Sequence, residues 1–202
     1  MTKQKTRYRC GWAGDDELYQ HYHDTEWGVP QINDQALFEK ICLEGFQAGL
    51  SWITILKKRE HFRKVFDGFD PEKVVRYNDK KIAKLLEDPG IIRNKLKVNA
   101  AISNARAFLD LQEKQSLASF LWGYVDGTPV QNSFNDLSEI PAETDISKQI
   151  SKDLKKLGFK FCGPTIVYAM MQSIGMVNDH VLKCPDHDKC KKLAKKFKAP
   201  AN

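Results

Sequence analysis

Between Phe38 and Leu56 the chain is almost continuously apolar, and its repeat is helical. Wrapped on a helix, Phe38, Ile41, Cys42, Gly45, Gly49, Trp52, Ile53 and Leu56 fall on one face. An apolar face of this length must be covered by other elements, so the core is built around it. Glu44 falls off that face, in a shallow stripe with Gln47, Ala48 and Ser51, flanked by Leu43, Leu50 and Ile55. A carboxylate against apolar groups is costly unless something specific pairs with it. The stripe reads either as the wall of a pocket or as the partly exposed edge of an amphipathic helix.

Elsewhere almost nothing alternates with period two over a useful length, so the fold class is all-α. Asp34 is placed to cap a helix over 34–48, and glycines at 45 and 49 weaken its continuation. A break is expected at 47–50, then one short helix over 51–64. Further helices are expected after Asp70-Pro71 and Asn78, from 92 to 113, over 116–124, from Thr144 or Ser147 to Leu157, and over 164–174. Residues 125–142 read as a loop, and 158–163 as a glycine-bearing hairpin. One domain over 1–190 and a basic tail over 191–202 account for the chain.

A formal charge of +6 favours an anionic partner without naming one. No apolar run is long enough to span a bilayer, and the first residues lack the apolar segment of a secretion signal. The expectation is a cytoplasmic protein. Five cysteines, an odd number in such a chain, argue against a disulfide framework.

Four groups of residues carry chemistry. Cys10, His23, His180 and Cys184 form a Cys2His2 set, a composition used for closed tetrahedral zinc sites. His21, His187 and Cys190 are rival ligands, and packing roles for all of them stay open. The segment from Leu157 to Thr165 leads a turn into a helix, where free amides hold a phosphate oxygen or simply join two helices. Asp88-Pro-Gly, followed by basic residues, is a second such turn. Trp12, Tyr19, Tyr22, Trp27 and Trp52 cluster near the N-terminal arm and the Glu44 segment; such rings stack on nucleobases or fill a core. The seven lysines from Lys183 to Lys198 rest on phosphates or form a disordered, solvated tail.

Taken together, Arg9-Cys-Gly-Trp, Tyr22-His-Asp-Thr-Glu-Trp-Gly-Val-Pro, Leu43-Glu-Gly-Phe-Gln-Ala-Gly-Leu-Ser-Trp, Gly90-Ile-Ile-Arg and Val177-Asn-Asp-His resemble the bacterial 3-methyladenine DNA glycosylase I family. The resemblance runs from about Arg9 to Cys184. It implies a helix-hairpin-helix glycosylase fold of two helical lobes, with a zinc-tied N-terminal arm and C-terminus. Cys10, His23, His180 and Cys184 would hold one structural zinc. Glu44 would be the catalytic and base-selecting residue, hydrogen-bonding the extruded base with Tyr22, with Trp52 stacking on it and Trp12, Trp27 and Tyr19 lining the pocket. Leu50 would wedge into the duplex from a turn shared with Gln47 and Gly49. Gly158, Lys160, Gly163 and Thr165 would meet the DNA backbone. The family lacks the catalytic Asp usual in its superfamily, and Asn178 and Asp179 stand near that place. Phe46 replaces a polar residue of the family, at what the pattern makes a pocket edge.

The implied function is excision of 3-methyladenine from double-stranded alkylated DNA by a monomeric, monofunctional enzyme that releases the free base. Two rivals stand beside it: a zinc-stabilised protein that binds lesions without chemistry, and a zinc hydrolase.

Overall fold

The computed structural model describes residues 7–200. Eleven α-helices account for most of the described residues: α1 (Glu17–Thr25), α2 (Asp34–Gln47), α3 (Trp52–Leu56), α4 (Arg59–Val65), α5 (Pro71–Val74), α6 (Asp79–Glu87), α7 (Lys95–Gln112), α8 (Leu117–Trp122), α9 (Asp145–Lys156), α10 (Pro164–Ser173) and α11 (Pro185–Ala194). One two-residue strand pair, β1 (Val130–Gln131) parallel to β2 (Val177–Asn178), joins regions far apart in sequence. The all-α class follows, and no described helix is long and apolar enough to cross a membrane.

α2 is the axle of the fold and packs against α3, α7, α8 and α10. Every residue from Ile41 to Phe46 is buried, so this helix has no shallow side over that stretch. Within the stripe assigned to Glu44, Glu44 itself lies as deep as the apolar face, while Gln47 and Ala48 are half-buried and Ser51 is exposed. Phe46 rests on Phe62 at 4.6 Å and Phe66 at 5.6 Å between ring centroids, which puts it in the core and not on a pocket edge. Gly49, at φ +78°, ends α2 where the break was expected, because only glycine takes that left-handed turn without strain. The turn changes the helical phase, so Ile55, and not Ile53, becomes fully buried in α3. The single helix expected over 51–64 is two, α3 and α4.

Local capping explains most other boundaries. Asn78, Asn94 and Ser116 each accept an amide of the helix they open, and Thr144 and Ser147 cap α9 reciprocally. Asp34 does not cap its own helix. Asn33 does so, while Asp34 reaches across to the amides of Leu117 (3.2 Å) and Ala118 (2.9 Å) at the start of α8. The loop 125–142 contains β1 and a short 3-10 turn at Leu137–Glu139.

The lysine-rich extension is ordered, against the expectation of a solvated tail. α11 passes through residue 191, and beyond it Phe197 packs at a tilt on Trp122, with ring centroids 4.2 Å apart. The burial of Phe197 against a core indole outweighs the charge of its neighbours.

Asp34→Ala should cost about 1–2 kcal/mol, the usual worth of a helix N-cap. Urea denaturation will read this as a lower midpoint with an unchanged slope.

Candidate functional site

Two features of the fold converge on one cavity of about 400 Å³, within the range of small-ligand sites. The N-terminal arm and α1 bring Trp12, Tyr19, Tyr22 and Trp27; α2 and α3 bring Glu44, Gln47 and Trp52. The rings form a continuous wall. Trp12 lies 5.0 Å from both Tyr19 and Trp27, and Tyr22 lies 5.5 Å from Trp52. All the residues expected to bind a base therefore come together.

Glu44 is 2% exposed, and its Oε2 has no hydrogen-bond partner among the described residues. Burial pushes its carboxyl up to about 7, against the pull of Lys40 and then of the Ser173 hydroxyl. Burial, followed by the nearby Glu44 charge, holds the Tyr22 phenol well above its ordinary value, so it stays a neutral O–H. The Trp52 indole N–H is also buried without a partner. An acceptor and a donor thus stand unsatisfied at one ring-lined recess, which is the arrangement a flat heterocycle fills.

Sequence reading missed the far wall. α10 contributes Tyr168, Ala169, Gln172 and Ser173, and the 125–142 loop contributes Leu137, Ile140 and Pro141. Thr165, expected on the DNA backbone, lines this cavity too. One signal existed: Thr165, Tyr168, Ala169 and Gln172 share a helical face. Nothing local, however, says that this face meets α2.

Asn178 and Asp179 do not line the cavity. Asp179 is fully buried and accepts from Tyr168 (2.7 Å), Gln172 (2.8 Å) and Asn132 (2.7 Å). It braces two cavity residues. Asn178 donates to Gln131 Oε1 and the His187 carbonyl, tying β2 to β1 and α11.

The turn 47–50 carries Leu50, 42% exposed. Lys97 of α7 steadies it, donating to the carbonyls of Phe46 (2.9 Å) and Ala48 (2.6 Å). The 158–163 turn joins α9 to α10, with Lys160 exposed at its surface. Asn104 accepts the Lys160 amide at 2.7 Å, and Ser151 donates to the Cys162 carbonyl at 2.6 Å. This turn presses on α2: a Cβ at Gly45 would meet the Phe161 Cβ at 3.1 Å. The α10 N-terminus has no side-chain cap, which leaves its first amides available.

Behind Trp12 and Trp27 lies the second cluster. Cys10, His23, His180 and Cys184 are each at most 1% exposed, and their ligand atoms lie within 4.8 Å of one another. His180 Nδ1 stands 3.6 Å from Cys10 Sγ and 3.7 Å from Cys184 Sγ, and His23 Nε2 stands 3.6 Å from Cys184 Sγ. The opposite ring nitrogens are engaged. His23 Nδ1 faces Asp24 at 2.8 Å, and His180 Nε2 faces the Trp27 carbonyl at 3.1 Å, which orients both imidazoles toward the sulfurs. The neighbouring Cys184, followed by burial, pushes the Cys10 thiol up, while Cys10 and the two imidazoles pull the Cys184 thiol down against burial. A buried Cys/His cluster of this kind can bind a metal ion. The rival ligands fall elsewhere: His21 is exposed, His187 donates to the Asn132 carbonyl, and burial pushes the Cys190 thiol up to about 12.

Comparison with known proteins agrees with this architecture. A family model described as methyladenine glycosylase matches residues 12–187. DNA-3-methyladenine glycosylase 1 of Escherichia coli is 51% identical over 177 residues, covering 87% of this chain and 95% of that protein. A crystal structure of 3-methyladenine DNA glycosylase I superposes with a TM-score of 0.87 at 50% identity, covering 88% of this chain and 98% of the other. The Staphylococcus aureus enzyme, whose structure is described as the basis of its 3-methyladenine recognition, superposes with a TM-score of 0.86 at 37% identity, covering 89% and 96%. With that extent of match and a ring-lined cavity around one buried carboxylate, this chain belongs to the methyladenine glycosylase family.

Proposed function

We propose that this chain excises 3-methyladenine from alkylated double-stranded DNA by hydrolysing the N-glycosidic bond, without a lyase step. The observation that carries the reading is Glu44: a buried carboxylate with an unpartnered oxygen, facing a cavity walled by six aromatic side chains.

A base inside a duplex is out of reach, so its nucleotide must rotate out, at a cost of a few kcal/mol that is least for a damaged base. Leu50, exposed on a turn steadied by Lys97, takes the gap in the stack. The 158–163 turn, Lys160 and the α10 amides hold the backbone without reading sequence. The extruded base then lies between the rings, with Glu44 accepting hydrogen bonds from it. 3-Methyladenine in DNA is cationic, and a carboxylate in a dry cavity favours a cation strongly. Adenine is neutral and gains less.

The same charge explains how the reaction proceeds without the superfamily's Asp. The glycosidic bond of a cationic base is already weak, because departure yields a neutral molecule. Asp179 is spent on Tyr168, Gln172 and Asn132 and serves as a brace. No lysine lines the cavity among the described residues, which fits a monofunctional enzyme, since lyase chemistry needs an amine.

For the Cys/His cluster we assign zinc. Bonds of 2.0–2.3 Å in a tetrahedron place sulfur and nitrogen about 3.5–3.6 Å apart, close to the separations found here. Four buried protein ligands leave no open position, so the ion would be structural, tying residues 10 and 23 to 180 and 184 and thereby holding Trp12. This disfavours a zinc hydrolase. We further assign a cytoplasmic monomer.

Incubation with methylated duplex, followed by chromatography of released bases, tests the activity. Free 3-methyladenine with an uncleaved abasic strand is expected; binding to the duplex without base release would leave only the lesion-binding rival. Leu50→Ala should slow excision from duplex about 10-fold, in line with the cost of an unpropped stack. Its affinity for free 3-methyladenine, measured by calorimetry, should match the parent's.

A further inference from the structure

Lys40 is a charged residue at this site that the mechanism above does not use. It stands one turn before Glu44 on α2, so the two side chains share a helix face. It does not line the main cavity but a second one of about 210 Å³ beside it, with Arg59, Arg63, Glu26, Glu39 and Ser173 among the walls. Its ammonium donates to the Tyr22 hydroxyl at 3.4 Å and lies 4.6 Å from the Trp52 ring centroid and 5.1 Å from that of Tyr22. Both rings line the main cavity. The cation is therefore set against the backs of two base-binding rings.

Its charge has few other claims on it. Glu26 is held by Arg59 at 2.6 Å and Glu39 by Arg63 at 2.7 Å. Lys40 itself makes no ion pair within 4.0 Å among the described residues. The remaining anion near it is Glu44, whose own charged and titratable neighbours are Lys40, Tyr22 and Tyr19. Burial lowers the Lys40 ammonium while Glu44, Glu26 and Glu39 raise it and Arg59 lowers it further.

We infer that Lys40 is a positioning residue for the charge of the pocket: it supplies the counter-cation of Glu44 while the pocket is empty, and the cationic base takes over that role on binding. Two opposite effects follow. The ammonium holds the Glu44 carboxyl lower than burial alone would, so that more of it is an ionised acceptor at neutral pH. Once the base is in place, the same ammonium repels it and draws on the π faces that stack against it. Lys40 thus trades affinity for the charged lesion against readiness at neutral pH.

The inference rests on the glycosylase reading, but one measurement is independent of it. In a carboxyl-labelled NMR titration, Lys40→Met should raise the Glu44 midpoint by about one pH unit above the parent's, and Lys40→Arg should leave it near the parent's. In excision assays on methylated duplex, the acid limb of the kcat/KM profile should move to higher pH by the same amount in Lys40→Met. Its plateau should equal or exceed the parent's. A lysine with only a packing role would lower the whole profile without moving the limb, and that result overturns the inference. So does an unmoved Glu44 midpoint. A parent that releases no base, with the midpoint moved as expected, instead rejects the glycosylase reading and leaves the Lys40–Glu44 coupling standing. Should Lys40→Met fail to fold, Lys40→Gln carries the same two readouts.

Discussion

Glu44→Gln will lose excision and gain stability, and the gain will depend on pH. The carboxyl is moved from its ordinary 4.5 to about 7 by burial. For a group whose value is raised in the fold, the sign is fixed: stability is full below about 4.5, declines as pH rises, and is lost above about 7. Ionised Glu44 then costs the fold about 3 kcal/mol. Glutamine has nearly the same shape and does not titrate. Parent and variant should therefore unfold together near pH 4.5, while above pH 7 the variant should be more stable by about 3 kcal/mol. Excision should fall on the order of 100-fold, the worth of a charge-assisted hydrogen bond in a dry site. Thermal unfolding at pH 4.5 and 8, beside a methylated-duplex assay, checks both halves. Equal stabilities at pH 8 would mean that Glu44 is not buried as described, and equal rates would remove it from base selection.

The second large effect concerns the Cys/His cluster. On the zinc assignment, Cys184→Ser would remove one of four ligands from a fully buried site and leave three side chains that no longer close on the ion. Structural zinc in small domains is worth about 10–16 kcal/mol of apparent binding energy. A variant with three of four ligands should lose at least about 3 kcal/mol and most of its metal. The loss should reach the candidate base-binding cavity. Trp12 follows Cys10 by two residues and touches Tyr19, Trp27 and the His23 ring at 5.2 Å. Freed from its anchor, the arm would release one ring of the pocket wall. Affinity for free 3-methyladenine should fall with the metal, and indole fluorescence should change in parallel. Freshly purified parent should hold about one equivalent of zinc by elemental analysis; much less than half an equivalent would reject the assignment.

These two sites differ in how the sequence reveals them. His180 and Cys184, a helical turn apart, made a Cys2His2 set with Cys10 and His23, while packing roles stayed open. Resemblance then separated them from His21, His187 and Cys190. Glu44 was visible as an anomaly, but its depth was not. A helical wheel divides a helix into inside and outside, whereas the 41–46 stretch of α2 is buried all round, in a helix that packs against α3, α7, α8 and α10. Phe46 was placed at a pocket edge by resemblance, and only its packing on Phe62 and Phe66 puts it in the core. The wheel also assumed one helix across residue 49, and a left-handed glycine broke the phase.

What the chain determines by itself is local. Asn78, Asn94, Ser116 and Thr144 cap the helices that follow them, Gly49 ends α2, and the absence of a period-two pattern excludes a large sheet, because each of these depends on groups within a few residues of each other. What only the tertiary structure decided is which faces meet. Asp34 caps a helix more than eighty residues away, Phe197 finds Trp122, and α10 closes the cavity opposite Glu44. Such pairings are settled by burying complementary surfaces from distant segments, and no short stretch of residues carries that information.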